Sequence, residues 1–234
     1  VDYSTRELQD AVTPEQVLQI LKDGHARFHS GQRLTRDLAR MVGATANSQH
    51  PLAVVLSCID SRAPVELLFD LGLGDIFSVR IAGNIVSAKV LGSIEYGCAV
   101  ARAKLIMVLG HTRCGAVTAA VDFVCSDRTA AEATGCEHLN QIVSDIQQSI
   151  DPRECALLSE MSPEDKESLV NGVARRNVAR TVNELINESQ TLNRLVQSGR
   201  IAIVGAMYDV VSGELDFLSE DEIAAAKNAF TSAD

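Results

Sequence analysis

The chain has 234 residues, of which 46% are hydrophobic and 22% charged, and its formal net charge is −10. That length suits one sizeable domain whose core needs no disulfide staples. The acidic balance and the lack of any Lys/Arg-rich run argue against a nucleic-acid partner, although a local positive pocket can still capture a small anion.

The first predicted element is a helix. Thr13, Pro14 and Gln16 supply a cap, a proline for the first turn and a capping-box partner. Val17, Ile20, Leu21, Gly24 and Phe28 then form one stripe that ends near Gly31. Residues 32–51 are polar and read as a connector with a short helix. Apolar runs follow at Leu52–Leu56, Ile76–Val79, Leu105–Leu109 and Ile201–Val204. Their continuous character predicts strands buried on both faces, hence a parallel sheet covered by helices. Helical patterns lie between them, around 64–69, 87–103, 114–124 and 163–189, and the interval from 110 to 200 has room for several helices. Glu214–Leu218, after the turn residues Ser212 and Gly213, predicts an antiparallel edge strand. The fold expected is α/β: a mostly parallel central sheet of four strands with an antiparallel edge strand, helices on both faces and an N-terminal helical arm. One domain over 1–234 is expected, divided into the arm (1–50), a metal-binding α/β core (51–218) and a C-terminal helix or tail (219–234).

In open parallel sheets ligands bind beyond the carboxyl ends of the strands, and the chemistry-bearing residues fall there. The first strand runs into Cys58, Asp60 and Arg62; the third runs into His111 and Cys114. Two thiolates and an imidazole are good zinc ligands, and three protein ligands leave the fourth tetrahedral position open, as in catalytic sites. Asp60 can accept a hydrogen bond from a water on the metal. Arg62 can hold Asp60 ionised and turned away from it by a bidentate ion pair. Such equipment serves hydrolysis or hydration.

Other residues carry weaker signals. Cys98, Cys125, Cys136 and Cys155 lack paired spacing and read as buried or surface thiols. His25 and His29, four apart on the predicted helix, read as a packed or solvated face. Gly72-Leu73-Gly74 precedes a strand and reads as a turn, not a dinucleotide loop. The cysteine pattern is not that of a small secreted domain, so the expected setting is reducing and cytoplasmic. No run reaches the ~18 to 20 apolar residues of a membrane span. The chain starts at Val1 rather than Met, so it is expected to be trimmed or cut from something longer.

The pattern Cys58-x-Asp60-x-Arg62, followed about fifty residues later by His111-x-x-Cys114-Gly115, resembles the β-class carbonic anhydrases. The likeness extends to Gln49-His50-Pro51, Phe77, Arg80, Ala82-Gly83-Asn84, Ile94-Glu95-Tyr96 and Tyr208-Asp209. It implies zinc on Cys58, His111 and Cys114, a catalytic dyad of Asp60 and Arg62, and reversible hydration of carbon dioxide to bicarbonate. It also implies a substrate pocket lined by Gln49, Phe77, Ala82, Tyr96 and Gly115, built at a dimer interface so that some of these side chains serve the neighbouring zinc. Ala82 stands where relatives often carry Val, which would leave the pocket roomier. A homodimer or dimer of dimers follows, with Val17, Ile20, Leu21 and Phe28 expected to pack across it. Val55 stands where some members carry a Trp that helps the dyad aspartate close onto the metal, so Asp60 is expected on Arg62 instead. Two alternatives stay open: a carbonyl sulfide or carbon disulfide hydrolase on the same metal, and a non-catalytic zinc domain resembling those fused to sulfate-permease-type transporters.

Overall fold

A computed structural model describes residues 3–124, 126, 128–155 and 157–229. The N-terminal arm holds helices α1 (Arg6–Ala11), α2 (Pro14–His29) and α3 (Leu38–Thr45). Strand β1 (Ala53–Ser57) leads to a short α4 (Val65–Leu68) and then β2 (Ile76–Arg80). Helix α5 (Ala88–Glu95) precedes β3 (Leu105–His111). Among the described residues the long interval before the next strand holds the α-helices α6 (Gly115–Val124), α7 (Ala130–Thr134), α8 (Leu139–Gln147), α9 (Pro152–Cys155), α10 (Pro163–Glu188) and α11 (Gln190–Gln197), with a 3-10 turn at Leu158–Glu160. Strands β4 (Ala202–Tyr208) and β5 (Leu215–Phe217) and helix α12 (Glu220–Ala229) complete the described chain.

Local chemistry accounts for several of these boundaries. Thr13 accepts from the Gln16 N–H while the Gln16 side chain accepts from the Thr13 N–H, a reciprocal cap that starts α2 at Pro14. Ser162, ahead of Pro163, caps α10 through its Oγ, which accepts from the Asp165 N–H. The helix expected over 87–103 is α5 followed by a π-helical turn at Tyr96–Val100, after which Arg102 takes a left-handed backbone (φ 69) and the chain turns into β3.

The sheet has the order β2-β1-β3-β4-β5, with every pair parallel except the antiparallel β4–β5. Two apolar layers cover it. Val54, Leu56, Ile106 and Val108 face the layer that includes α6, α10 and α11; Ala53, Val55, Leu105, Met107 and Leu109 face the layer with α2 and α4. Strands β1 and β3 are buried along their whole length, which explains their unbroken apolar runs. β2 departs from the expected burial on both faces: only Ile76 is buried, because β2 is the edge of the sheet. The α2 stripe also departs from expectation. Val17 and Leu21 are 0% and 1% exposed against this chain's own sheet, so these two are spent within the chain and not across a partner, while Ile20 and Phe28 are partly buried beside them.

One buried carboxylate ties the arm to this core. Asp70, with none of its side chain exposed, accepts from Arg27 Nε of α2 and from Arg36 Nη1 of the connector, each at 2.6 Å. Among the described residues no helix is long and apolar enough to cross a membrane.

Candidate metal centre

The sheet order places β1 between β2 and β3, so the chain leaves β1 toward one side and returns on the other. The crevice beyond the carboxyl ends of β1 and β3 is therefore the topological switch point, where ligands bind in such sheets. Ser57 pairs with Leu109, which brings the next residue of β1, Cys58, level with the last residues of β3. His111 ends β3, and Cys114 follows immediately before α6. The Cys58 Sγ, His111 ring nitrogen and Cys114 Sγ atoms all lie within 4.8 Å of one another, and all three residues are buried.

The donor chemistry of this cluster fits a zinc-like cation. The two sulfurs are 3.9 Å apart, close to the edge of about 3.8 Å that tetrahedral arms of about 2.3 Å would span. His111 Nδ1 lies 2.9 Å from the Thr112 carbonyl, to which it can only donate, so Nε2 carries the lone pair. That Nε2 is buried and has no hydrogen-bond partner among the described residues, an orphan that a cation would satisfy. The hydrogen bond between the sulfurs lowers the pKa of the Cys58 thiol and raises that of the Cys114 thiol. One proton is thus shed readily, and a cation between the sulfurs would take the place of the other.

Asp60 sits beside the cluster, its Oδ2 3.8 Å from His111 Nε2. Arg62 grips it bidentately, Nη2 to Oδ2 at 2.7 Å and Nε to Oδ1 at 3.0 Å, and the Arg62 N–H adds a third bond at 2.9 Å. The guanidinium holds the Asp60 carboxyl down at about 2, so it is ionised at neutral pH. Arg62 also donates to the Arg113 carbonyl at 3.2 Å. Arg113 is itself held in a left-handed turn (φ 54), where its N–H donates to Asn171 of α10.

The expected pocket residues divide into two groups. Gly115 directly follows Cys114, and Ala82 opens the 3-10 turn Ala82–Asn84 whose Gly83 N–H points at Cys58 Sγ, 3.4 Å away. The others lie elsewhere. Phe77 pairs in register with Val54; at ~3.3 Å per residue it stands about 10 Å short of the strand ends that carry the cluster. Its ring meets Tyr96, which is 56% exposed, at a centroid distance of 6.4 Å. Together they line an open cleft of about 760 Å³ along β2. Gln49 is exposed beside Gly74, at the opposite end of β2 from the cluster.

Some contacts around the cluster have no counterpart in the expected set. Arg80 donates to the carbonyls of Cys58 and Asp60 at 2.9 and 2.5 Å, fixing the loop that carries both. Asn177 and Thr181 of α10 donate to the carbonyls of Gly83 and Asn84. A polar residue in the stripe Val170, Val173, Ala174, Asn177, Val178 was the available signal. Of the remaining cysteines, Cys98 is buried, its thiol pushed up to about 12 by burial, and Cys136 is exposed. Cys125 and the side chain of Cys155 lie outside the described residues. His25 is packed, with Nδ1 3.2 Å from the Leu68 carbonyl.

The sequence model of the family described as carbonic anhydrase matches residues 53–215. A carbonic anhydrase of Mycolicibacterium smegmatis is 36% identical over 88% of this chain and 94% of its own length. Carbonic anhydrase 2 of Mycobacterium tuberculosis is 36% identical over 86% of this chain and 90% of its own. Among solved structures, a β-carbonic anhydrase of Aspergillus fumigatus shares the fold with a TM-score of 0.65 at 24% identity, over 92% of this chain and 97% of that one.

Proposed function

The chain belongs to the carbonic anhydrase family, in its β class, and on that premise we propose that it interconverts carbon dioxide and bicarbonate at a zinc ion held by Cys58, His111 and Cys114. The observation that carries the reading is the orphaned, tautomer-fixed His111 Nε2 facing two buried sulfurs, with an ionised Asp60 3.8 Å away. When bound, zinc supplies the Lewis acidity that makes water a nucleophile near neutral pH.

The chain's own residues do the rest. The Thr112 carbonyl fixes the imidazole tautomer and orientation, and the Gly83 N–H supports the Cys58 thiolate. Asp60 accepts a hydrogen bond from the attacking water and so orients its lone pair toward carbon dioxide. Arg62 keeps Asp60 charged and occupies both of its oxygens, which holds it off the metal. A non-catalytic scaffold has no use for this pair.

The pocket is proposed to be completed by a second copy. Gln49, Phe77 and Tyr96 are remote from their own cluster but lie along or beside the open edge strand β2. Antiparallel pairing of two β2 edges would bring the amino end of one against the carboxyl end of the other, delivering these side chains to the partner's metal. A homodimer, or a dimer of dimers built from it, is the assembly this placement favours. One sheet with an apolar layer on each face supports reading 1–234 as a single domain. Free thiols at Cys58, Cys98, Cys114 and Cys136 fit a reducing, cytoplasmic setting.

Stopped-flow hydration of carbon dioxide, with zinc quantified in the same sample, tests the reading. About one zinc per chain and hydration abolished by a chelator are expected. A zinc-loaded protein that leaves carbon dioxide at its uncatalysed rate would overturn it.

A further inference from the structure

A fully buried asparagine in the middle of α10 is unusual. Asn177 is 0% exposed, with Val173, Ala174, Val178 and Ala179 of the same helix in the apolar layer around it. Burying an amide there is costly unless its groups are bonded. Both ends are bonded, and one of the bonds leads to the metal cluster. Asn177 Nδ2 donates to the Gly83 carbonyl at 2.8 Å, across 94 positions of sequence, and its Oδ1 accepts from Ser149 Oγ at 3.3 Å.

Gly83 is the residue whose N–H points at Cys58 Sγ. Its backbone is left-handed (φ 72), and a Cβ there would come within 2.5 Å of Ile146 Cδ1, so the turn is both strained for other residues and closely packed. The Gly83 carbonyl belongs to the peptide after Gly83 and its N–H to the peptide before. The tight left-handed turn packed against Ile146 holds the φ and ψ between them, so anchoring the carbonyl also orients the N–H. An N–H aimed at a thiolate withdraws charge from the sulfur, which sets how strongly that sulfur donates to a cation.

We propose that Asn177 is a positioning residue for the metal centre: through the Gly83 carbonyl it holds the turn that aims the Gly83 N–H at the Cys58 thiolate, and so tunes that sulfur as a donor. The proposal rests on the zinc reading of Cys58, His111 and Cys114. Thr181, one turn further along α10 and equally buried, donates to the carbonyl of Asn84 at 3.3 Å, one peptide further from the sulfur. It supplies the comparison: a buried helix-to-turn bond of the same kind that does not aim the Gly83 N–H.

The test uses the cobalt(II)-substituted protein and zinc competition against a chromophoric chelator, neither of which needs activity. Asn177→Leu, close in volume but without the donor, is expected to shift the sulfur-to-cobalt charge-transfer band and to weaken zinc binding about 10- to 100-fold. Thr181→Val is expected to lower the melting temperature while leaving band and affinity at parental values. Should Asn177→Leu not fold, Ser149→Ala decides the matter, with a smaller band shift in the same direction expected. An unchanged band in the folded Asn177→Leu or, failing that, in Ser149→Ala overturns the proposal, as does an equal shift in Thr181→Val. A parental protein that binds neither cobalt nor zinc overturns the metal reading itself, which is a different result from a parental protein that binds and a variant that does not change.

Discussion

Arg62 holds Asp60 by both carboxylate oxygens, at 2.7 and 3.0 Å, within a loop of only three residues that starts two positions after Cys58. Asp60→Asn is expected to keep the metal and lose hydration about 10- to 100-fold, because the amide is a poorer acceptor and a poorer partner for Arg62. Arg62→Ala is expected to impair hydration as well, by freeing Asp60 to turn toward the metal. Metal content and stopped-flow rates on the same samples check both. Parental rates in the two variants would remove the dyad from the mechanism.

Cys58→Ala, His111→Ala and Cys114→Ala are each expected to abolish bound metal and hydration together. All three ligands are buried in one cluster within 4.8 Å, and no other such group occurs among the described residues. Elemental analysis after dialysis is the measurement. Full occupancy in the Cys114→Ala protein would sink the ligand assignment.

Subunit complementation tests whether Phe77 serves its own metal or a partner's. A Cys114→Ala chain has no working ligand set but an intact Phe77; a Phe77→Ala chain has the reverse. If the aromatic reaches across the β2 edge, a mixed dimer contains one site with every part intact, and mixing two weakly active variants restores hydration toward half the parental rate per dimer. If Phe77 acts within its own chain, no mixed site is whole and activity does not rise. Light scattering on the parental protein should give at least twice the chain mass.

Asp70 predicts how stability depends on pH. Burial alone would raise its pKa, but hydrogen bonds from Arg27 and Arg36 overcome this and hold the carboxyl below its usual 3.8. A depressed carboxylate contributes stability that is present above the unfolded pKa and lost as pH falls through the folded one. Asp70→Asn is therefore expected to cost about 3 kcal/mol at neutral pH, since it leaves guanidinium groups without their buried partner. The gap between the two proteins should narrow below roughly pH 4. Urea denaturation across this range checks it; a gap that stayed constant down to roughly pH 2 would show that charge does not hold the arm.

What sequence by itself determined is whatever depends on near neighbours in the chain. Unbroken apolar runs marked β1, β3 and β4, the Thr13–Gln16 pair marked the start of α2, and the two-residue spacing of Asp60 and Arg62 already allowed their ion pair. The clustering of Cys58 with His111 and Cys114 was legible because strand ends in a parallel sheet converge on one side, so that Cys58 and His111 had to be neighbours if their strands were. Tertiary structure alone decided which surface covers each apolar face. Val17 and Leu21 make the same stripe whether a partner or the chain's own sheet covers it, and only the fold shows them on the latter. Likewise, the apolar pattern of Ile76–Val79 does not say that β2 is an edge; that follows from the strand order. Phe77 lies away from the cluster because it sits near the amino end of β2, paired with Val54, while the cluster lies beyond the carboxyl end. The bond from Asn177 to Gly83 joins residues 94 apart and leaves no periodic trace beyond one amide in an apolar stripe. Local patterns record which groups must be buried or bonded; only the packed chain records by what.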